Sequence, residues 1–324
     1  MEYTRLGTTG LEIPRLVLGC WNFGSEEPWM VNDRDESLRI IDRAIELGIT
    51  HLDTANVYSH GESEEIVGEA IEGRRDELVI ATKVYGRMAD KPNGQGLSRR
   101  HVLEQVEASL DRLGTDYIDL YQIHRWDEHT PIEETLSALD HLINEGKVRY
   151  VGASTMAAWK FMKALHASER EGYDRFEAMQ LEYSLTNRQE EENLLPLCRD
   201  QGVGVLSWSP LGGGFLADMY DRDEVPEGSR AAEDPYTEDR FVEENWEVLD
   251  VVRELADRKD ATAAQVSLAW LLHKEGVDAP IIGPASVEHL EDSVGALDVS
   301  LTDAEIDRLE APKRPVWSQE YVPW

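Results

Sequence analysis

The sequence predicts an α/β fold, a single (β/α)8 TIM barrel, and three observations carry that expectation. Eight apolar runs rich in β-branched residues lie at 15–19, 50–55, 78–84, 118–124, 148–154, 178–184, 204–210 and 279–285, each followed by a helical pattern. Short apolar strands alternating with amphipathic helices make a parallel sheet, and eight such units in 324 residues suit closure into a barrel. No linker, solenoid-period repeat or low-complexity segment divides the chain, so residues 1–324 read as one domain.

Taken in order, residues 1–14 hold a small hairpin around Gly7-Thr8-Thr9-Gly10, expected to close the bottom of the barrel. After the first barrel run, a helix over 35–47 stops at Gly48, and a later helix capped by Ser98 runs to Arg112. Thr262-Ala-Ala-Gln265 and Thr302-Asp-Ala-Glu305 each read as a capping box. Residues 218–238 are rich in acids, with Pro226, Gly228 and Pro235. An irregular stretch that long in a compact domain is either a functional lid or unstructured. The tail, 312–324, carries Trp317, Tyr321 and Trp324, aromatic surface expected to dock over the barrel mouth or on a neighbouring subunit.

The charge bounds the partners. Asp and Glu total 65 against 32 Lys and Arg, a net charge of −33 with a pI near 4.5. Nucleic acid and anionic membranes bind basic patches, so neither is an expected partner. The acids are spread over helix faces, at 62, 64 and 65, 133 and 134, 190–192, and 243 and 244. Such a surface serves simple solubility or, as the favoured expectation, belongs to a halophile's protein, whose self-repulsion is tolerable when salt screens it. Cys20 and Cys198 lie far apart in no metal-ligand or disulfide-framework spacing, as expected of free thiols in a reduced cytoplasm. Residues 1–21 show no basic segment followed by an apolar one, and no apolar run approaches the ~18 residues of a membrane span.

In a parallel barrel, chemistry collects at the C-terminal ends of the strands. Asp53 lies near the end of the second run, Tyr58 in the loop after it, Lys83 near the end of the third, and His124 closes the fourth. Singly, Asp53 could be a helix cap, Tyr58 an ordinary amphipathic tyrosine and His124 a satisfied core histidine. Lys83 is harder to dismiss, because a lysine inside an apolar strand must find a partner or lose its charge. Barrel geometry makes Asp53 that partner. A hydride added to a carbonyl carbon leaves an alkoxide that must be protonated as it forms. A free phenol, with a pKa of ~10, is a weak acid for that task, and an adjacent ammonium is expected to lower its pKa. An imidazole donor stabilises the charge developing on the carbonyl oxygen.

Over essentially its whole length the chain resembles the aldo-keto reductase family, in particular its bacterial, archaeal and potassium-channel β-subunit-like branch. The resemblance rests on Arg5-Leu-Gly7, Leu16-Val-Leu-Gly-Cys-Trp21, Leu52-Asp-Thr-Ala-Asn-Val-Tyr58 with Gly61-Glu-Ser-Glu-Glu65, and Ala81-Thr-Lys83. It continues through Asp119-Leu-Tyr-Gln-Ile-His124, Gly146-Lys-Val-Arg-Tyr-Val-Gly-Ala-Ser154, Gln180 and Ser207-Trp-Ser-Pro-Leu211. It implies a catalytic tetrad of Asp53, Tyr58, Lys83 and His124, and a nicotinamide cofactor bound without a Rossmann domain. Gly212-Gly-Gly214 is accordingly no dinucleotide fingerprint, since it does not open a helix in an N-terminal βαβ unit.

By the same resemblance Trp208 stacks on the nicotinamide, Ser154 and Gln180 hold its carboxamide, and Trp21 lies nearby. Ser209, Pro210, Leu211 and Gly213 line the pyrophosphate path. Residues 282–293 cradle the adenosine end, through Gly283, Ala285, His289, Asp292 and Ser293. Family members preferring NADPH commonly place an arginine or lysine in that segment; this chain has His289 among Glu288, Glu291 and Asp292. Met219 also stands where many members carry a lysine. A missing charge-assisted hydrogen bond weakens the preference about ten- to a hundredfold. NADP(H) is the expected cofactor on family grounds, with NAD(H) or dual use left open by these positions.

The expected function is reversible, NAD(P)H-dependent reduction of aldehydes or ketones, with Tyr58 as general acid. Trp21, Phe23, Trp29, Tyr58 and Trp126 are expected to line a pocket for planar or apolar carbonyl compounds, as a monomer or small homo-oligomer. One alternative is an NAD-dependent sugar or alcohol dehydrogenase working oxidatively. Another is a channel β-subunit-like regulatory binding protein, which would assemble as a four-fold ring. No resident metal is expected, since the barrel mouth shows no His-x-His pair.

Overall fold

A computed structural model describes residues 1–24, 27, 30–222, 230–233, 240–313 and 315. The hairpin strands β1 (Tyr3–Arg5) and β2 (Glu12–Pro14) pair antiparallel, Tyr3 opposite Pro14. Eight parallel strands follow: β3 (Val17–Gly19), β4 (His51–Asp53), β5 (Val79–Val84), β6 (Ile118–Ile123), β7 (Val148–Ser154), β8 (Phe176–Glu182), β9 (Gly204–Trp208) and β10 (Ala279–Ile282). They close in sequence order, with β10 paired to both β9 and β3.

Helices lie between successive strands. They include α1 (Arg34–Glu46), α2 (Glu62–Ala70), α3 (Arg99–Leu113), α4 (Ile132–Asn144), α5 (Ala158–Glu171) and α6 (Leu194–Gln201). The helices Glu243–Lys259 and Ala263–His273 precede β10, and Val287–Val294 and Asp303–Glu310 follow it. The caps form as the sequence predicts: Ser98 Oγ accepts from the His101 N–H, and Thr262 and Thr302 complete their capping boxes. Asp33 caps α1, and Gly48 takes the left-handed conformation after it.

All eight predicted runs contain barrel strands; β7 matches its run end to end, and the others are shifted at one end or both. β4 stops at Asp53 and β10 at Ile282, because the residues beyond leave the ladder to build loops. Thr54 and Asn56 still donate to the carbonyls of Ala81 and Lys83, so the loop after β4 stays tied to β5. β8 begins earlier than predicted, at the buried Phe176, where a register shift against Val151 and Gly152 adds a residue to its start.

Inside the barrel, Val17, Ala81, Leu120, Ala178, Leu206 and Ala279 pack on Leu6 and Ile13 of the hairpin, which closes the bottom. The approach is tight. A Cβ on Gly7, at φ +55°, would lie 2.4 Å from the Gly204 nitrogen, so only glycine fits there. Asp278 Oδ2 accepts from the Gly7 and Val205 N–H groups, fastening hairpin to barrel. The larger core lies between strands and helices, around residues such as Leu52, Ile80, Ile123 and Trp270.

One predicted surface acid is internal. Glu64 is fully buried, accepting from Thr82 Oγ1 at 2.5 Å and Arg112 Nε at 2.6 Å. A carboxylate is stable there because two donors compensate its desolvation. Of the 218–238 stretch, residues 218–222 and the short helix Arg230–Glu233 are described. Trp29 and the tail aromatics Trp317, Tyr321 and Trp324, expected near the substrate pocket, lie outside the described residues. At the start of the tail, Lys313 Nζ donates to Asn245 Oδ1 at 2.6 Å.

Candidate active site

Alternation along three neighbouring strands aims polar side chains into the top of the barrel. Asp53 ends β4, Lys83 is the penultimate residue of β5, and Gln122 the penultimate residue of β6. Lys83 Nζ donates to Asp53 Oδ1 (2.5 Å), the Thr54 carbonyl (2.9 Å) and Tyr58 Oη (3.1 Å). All three ammonium protons are therefore placed. Asp53 Oδ2 accepts from Gln180 Nε2 (2.8 Å) and Gln122 Nε2 (3.1 Å). This lattice of donors and acceptors makes a fully buried ion pair tolerable.

Tyr58 reaches Lys83 from a single helical turn, Tyr58–Gly61, in which Ser59 and His60 are left-handed at φ 46° and 52°. His124 follows β6, its N–H bonded to the Val84 carbonyl, and its ring meets the Tyr58 ring edge-on at 5.6 Å. Phenol, ammonium, carboxylate and imidazole are thus contiguous.

Burial decides the protonation states. Desolvation pushes the Tyr58 phenol above its ordinary pKa, and the Lys83 charge pulls it down without cancelling the rise. This reverses the net lowering predicted from the lysine alone, and Tyr58 is a protonated donor at neutral pH. Desolvation alone would lower Lys83, but Asp53 and Tyr58 outweigh it and hold the ammonium above its usual range. Burial, aided by the charges of Lys83 and Arg125, keeps His124 well below its usual range, so its imidazole is neutral.

Above this cluster lies a cavity of about 730 Å³, within the roughly 300–1,000 Å³ typical of small-molecule and cofactor sites. Asp53, Tyr58 and His124 line one part of it, and it continues past Trp208 along Ser209, Pro210, Leu211 and Gly213 to Ala285, His289, Asp292 and Ser293. The sequence model of the Aldo/keto reductase family matches residues 15–313, nearly the whole described barrel. The chain belongs to the aldo/keto reductase family.

Three relatives, each matched over nearly its full length, illustrate the likeness. The chain is 41% identical to the versiconal hemiacetal acetate reductase of Aspergillus parasiticus, covering 97% of this chain and 98% of that protein. It is 38% identical to a Schizosaccharomyces pombe protein named as a candidate aryl-alcohol dehydrogenase, covering 97% and 96%. It is 39% identical to the Bacillus subtilis oxidoreductase YrpG, covering 95% and 94%. The protein is therefore an oxidoreductase acting between carbonyl and alcohol, in a family that uses nicotinamide cofactors.

The walls of this aldo/keto reductase cavity suit such a cofactor. Trp21, Ser154, Gln180 and Gly283 line it together with the residues just named, so every described residue expected at the cofactor borders one space. Among the described residues the buried Trp208 indole N–H has no partner, which makes it a donor open to a ligand. A Cβ on Gly283 would lie 2.7 Å from Trp21 Nε1, so a larger residue would close the wall there. Gly212, Gly213 and Gly214 follow one another at φ 59°, 69° and 93°, a turn that holds bulky side chains off the cavity.

Two expected substrate residues lie elsewhere. Phe23 is fully buried in the core, bridged to Val31, and so is not on the cavity wall. Trp126 packs on the core with Lys160 and Lys163 over its ring, away from the cavity wall. The sequence reading also missed residues. Gln122 was visible in strand alternation, two positions before His124 on the same face. Arg125, Thr155 and Arg230 also line the cavity. Arg230, 4.5 Å over the Trp21 ring, opens the short helix Arg230–Glu233 within the acid-rich stretch read as a lid or as unstructured, and nothing in the sequence singled out this residue of it.

Proposed function

We propose that this enzyme reversibly reduces aromatic or other apolar aldehydes and ketones, with NADP(H) preferred and Tyr58 as general acid. The observation that carries the reading is the Lys83 ammonium bonded at once to Asp53 and to the Tyr58 hydroxyl. That bond occupies a lone pair of the phenol and leaves its proton for a substrate oxygen. The cofactor, when bound, supplies hydride to the carbonyl carbon. Tyr58 then gives its proton to the forming alkoxide, and Lys83 stabilises the resulting phenolate. Asp53, held by Gln122 and Gln180, keeps Lys83 charged and in place. Neutral His124 donates to the carbonyl oxygen where negative charge grows.

Family membership supports NADP(H), as does the Arg230 guanidinium in the cavity wall. Of the three acids that argued against it, Asp292 has its carboxylate engaged by Thr262 Oγ1 and Gln265 Nε2, and Glu291 pairs with Arg43. Aromatic substrates are supported by Trp21 and Trp208 in the wall and by the aryl-alcohol and versiconal names of two relatives. The reading extends to a cytoplasmic protein of a salt-rich cell, supported by the −33 charge. Among the described residues no helix is long and apolar enough to cross a membrane.

The test pairs Tyr58→Phe with wild type, in molar potassium chloride and in low salt. Tryptophan fluorescence should be quenched by NADPH equally in both proteins, and more weakly by NADH. Turnover of benzaldehydes should fall roughly a hundred- to ten-thousandfold in the variant, since it loses the proton donor outright. Full activity in Tyr58→Phe would refute the acid assignment, and equal affinity for NADH would refute the NADP(H) preference.

A further inference from the structure

We propose that Arg125 makes this active site select carbonyl substrates that carry a carboxylate. The inference rests on the reductase reading and adds the substrate's charge to it. Arg125 directly follows His124, is exposed, and lines the same cavity. Its positive charge is felt at both Tyr58 and His124. Among the described residues its guanidinium has no hydrogen bond or ion pair, although acids outnumber cations about two to one in this chain.

The acids nearest in sequence are committed elsewhere. Asp127 Oδ2 accepts from the Leu97 N–H and Thr130 Oγ1, both at 2.8 Å, and its Oδ1 from the His129 N–H at 2.9 Å. Glu128 pairs with Lys160. Within the cavity, Asp53 is neutralised by Lys83, and Asp292 sits with Thr262 and Gln265. His124 is neutral. Among the described residues, the reacting end of the cavity therefore carries one uncompensated positive charge, on a planar fork that fits a carboxylate with two parallel hydrogen bonds. Composition alone would have placed an acid beside it.

The experiment uses enzyme loaded with NADP+, in which an aldehyde binds without being reduced, at one fixed salt concentration. 3- and 4-Formylbenzoate are titrated against the matching formylbenzamides, read by tryptophan fluorescence, and the series is repeated on cofactor-free protein. Wild type should bind the carboxylates roughly three- to tenfold tighter than the amides. Arg125→Gln should bring that ratio to one, and Arg125→Lys should keep part of it. An unchanged ratio in Arg125→Gln, or no preference in wild type, overturns the proposal. So does a loss confined to NADP+ affinity, which would make the arginine a cofactor contact. Failure of the reductase reading shows separately, as no NADPH oxidation by wild type with any of these aldehydes.

Discussion

His51 stands two residues before Asp53 on β4, fully buried, with neither ring nitrogen hydrogen-bonded to the described protein. Burial pushes its pKa down to about 4, the Asp53 charge only partly opposing the shift. In the unfolded chain the same group titrates near ~6.5. Below that pH the unfolded state takes up a proton that the folded state refuses. The contribution to stability is thus complete above pH ~6.5 and lost as pH falls through about 4, some 3 kcal/mol over the window. Urea midpoints from pH 7 to 4.5 should fall more steeply for wild type than for His51→Leu, and parallel slopes would show that the ring has a partner. At this scale the sequence disclosed identity better than state. Asp53, Tyr58, Lys83 and His124 were legible because each ends a strand or opens its loop. The raised pKa of Tyr58 was not, since a residue string carries the neighbouring ammonium but not the depth of burial that outweighs it.

Three backbone positions after Tyr58 form the most strained element of the site. Ser59 and His60 are left-handed without being glycine, and Gly61 lies at φ 105°. Each such non-glycine residue costs of order 1–2 kcal/mol, so the surroundings must hold the turn. Ser59 Oγ donates to the Phe23 carbonyl at 2.8 Å, and the Arg112 side chain from α3 packs against Gly61. Arg112 in turn grips the buried Glu64 of α2, which accepts from Thr82, the neighbour of Lys83 on β5. One guanidinium thus ties together the turn that presents the phenol, two helices and the strand that carries the lysine. Arg112→Met leaves a buried carboxylate without its charge partner and should cost about 3–5 kcal/mol in urea denaturation. The double variant Glu64→Gln/Arg112→Met should recover much of that loss. Equal stability of single and double variants would mean that Glu64 is not held by this pair. The strands and caps of the fold were readable because periodicity and capping chemistry are local. This clip was not, because Glu64 in Gly61-Glu-Ser-Glu-Glu65 looks like its solvent-facing neighbours until α3 is packed over it.

Across the whole molecule, the surplus of 33 negative charges is the term the fold does least to offset. The cations are largely used in surface arginine–carboxylate pairs such as Arg34–Glu69 and Arg308–Glu254, each contributing only ~0–1 kcal/mol. Pairing cannot remove the excess, because there are too few cations to go round. The remaining repulsion acts over about 10 Å at ~0.1 M salt and about 3 Å at ~1 M, so added salt should relieve it progressively. The melting temperature should therefore climb from low to molar potassium chloride, by roughly 1–2 °C for each kcal/mol of repulsion removed from a chain of 324 residues. Sodium chloride should act alike, because screening depends on ionic strength and not on the cation. Sucrose, which stabilises folded proteins by exclusion without screening, should give a smaller and featureless rise. If sucrose matches the salts, or if stability is flat from low to molar salt, the acidic surface serves solubility alone and the adaptation to salt is refuted. Composition made this charge legible at once. The same composition hid its exception, Arg125 at the reacting end of the cavity, uncompensated among the described residues, because a net count over 324 residues cannot show where the barrel gathers its few cations.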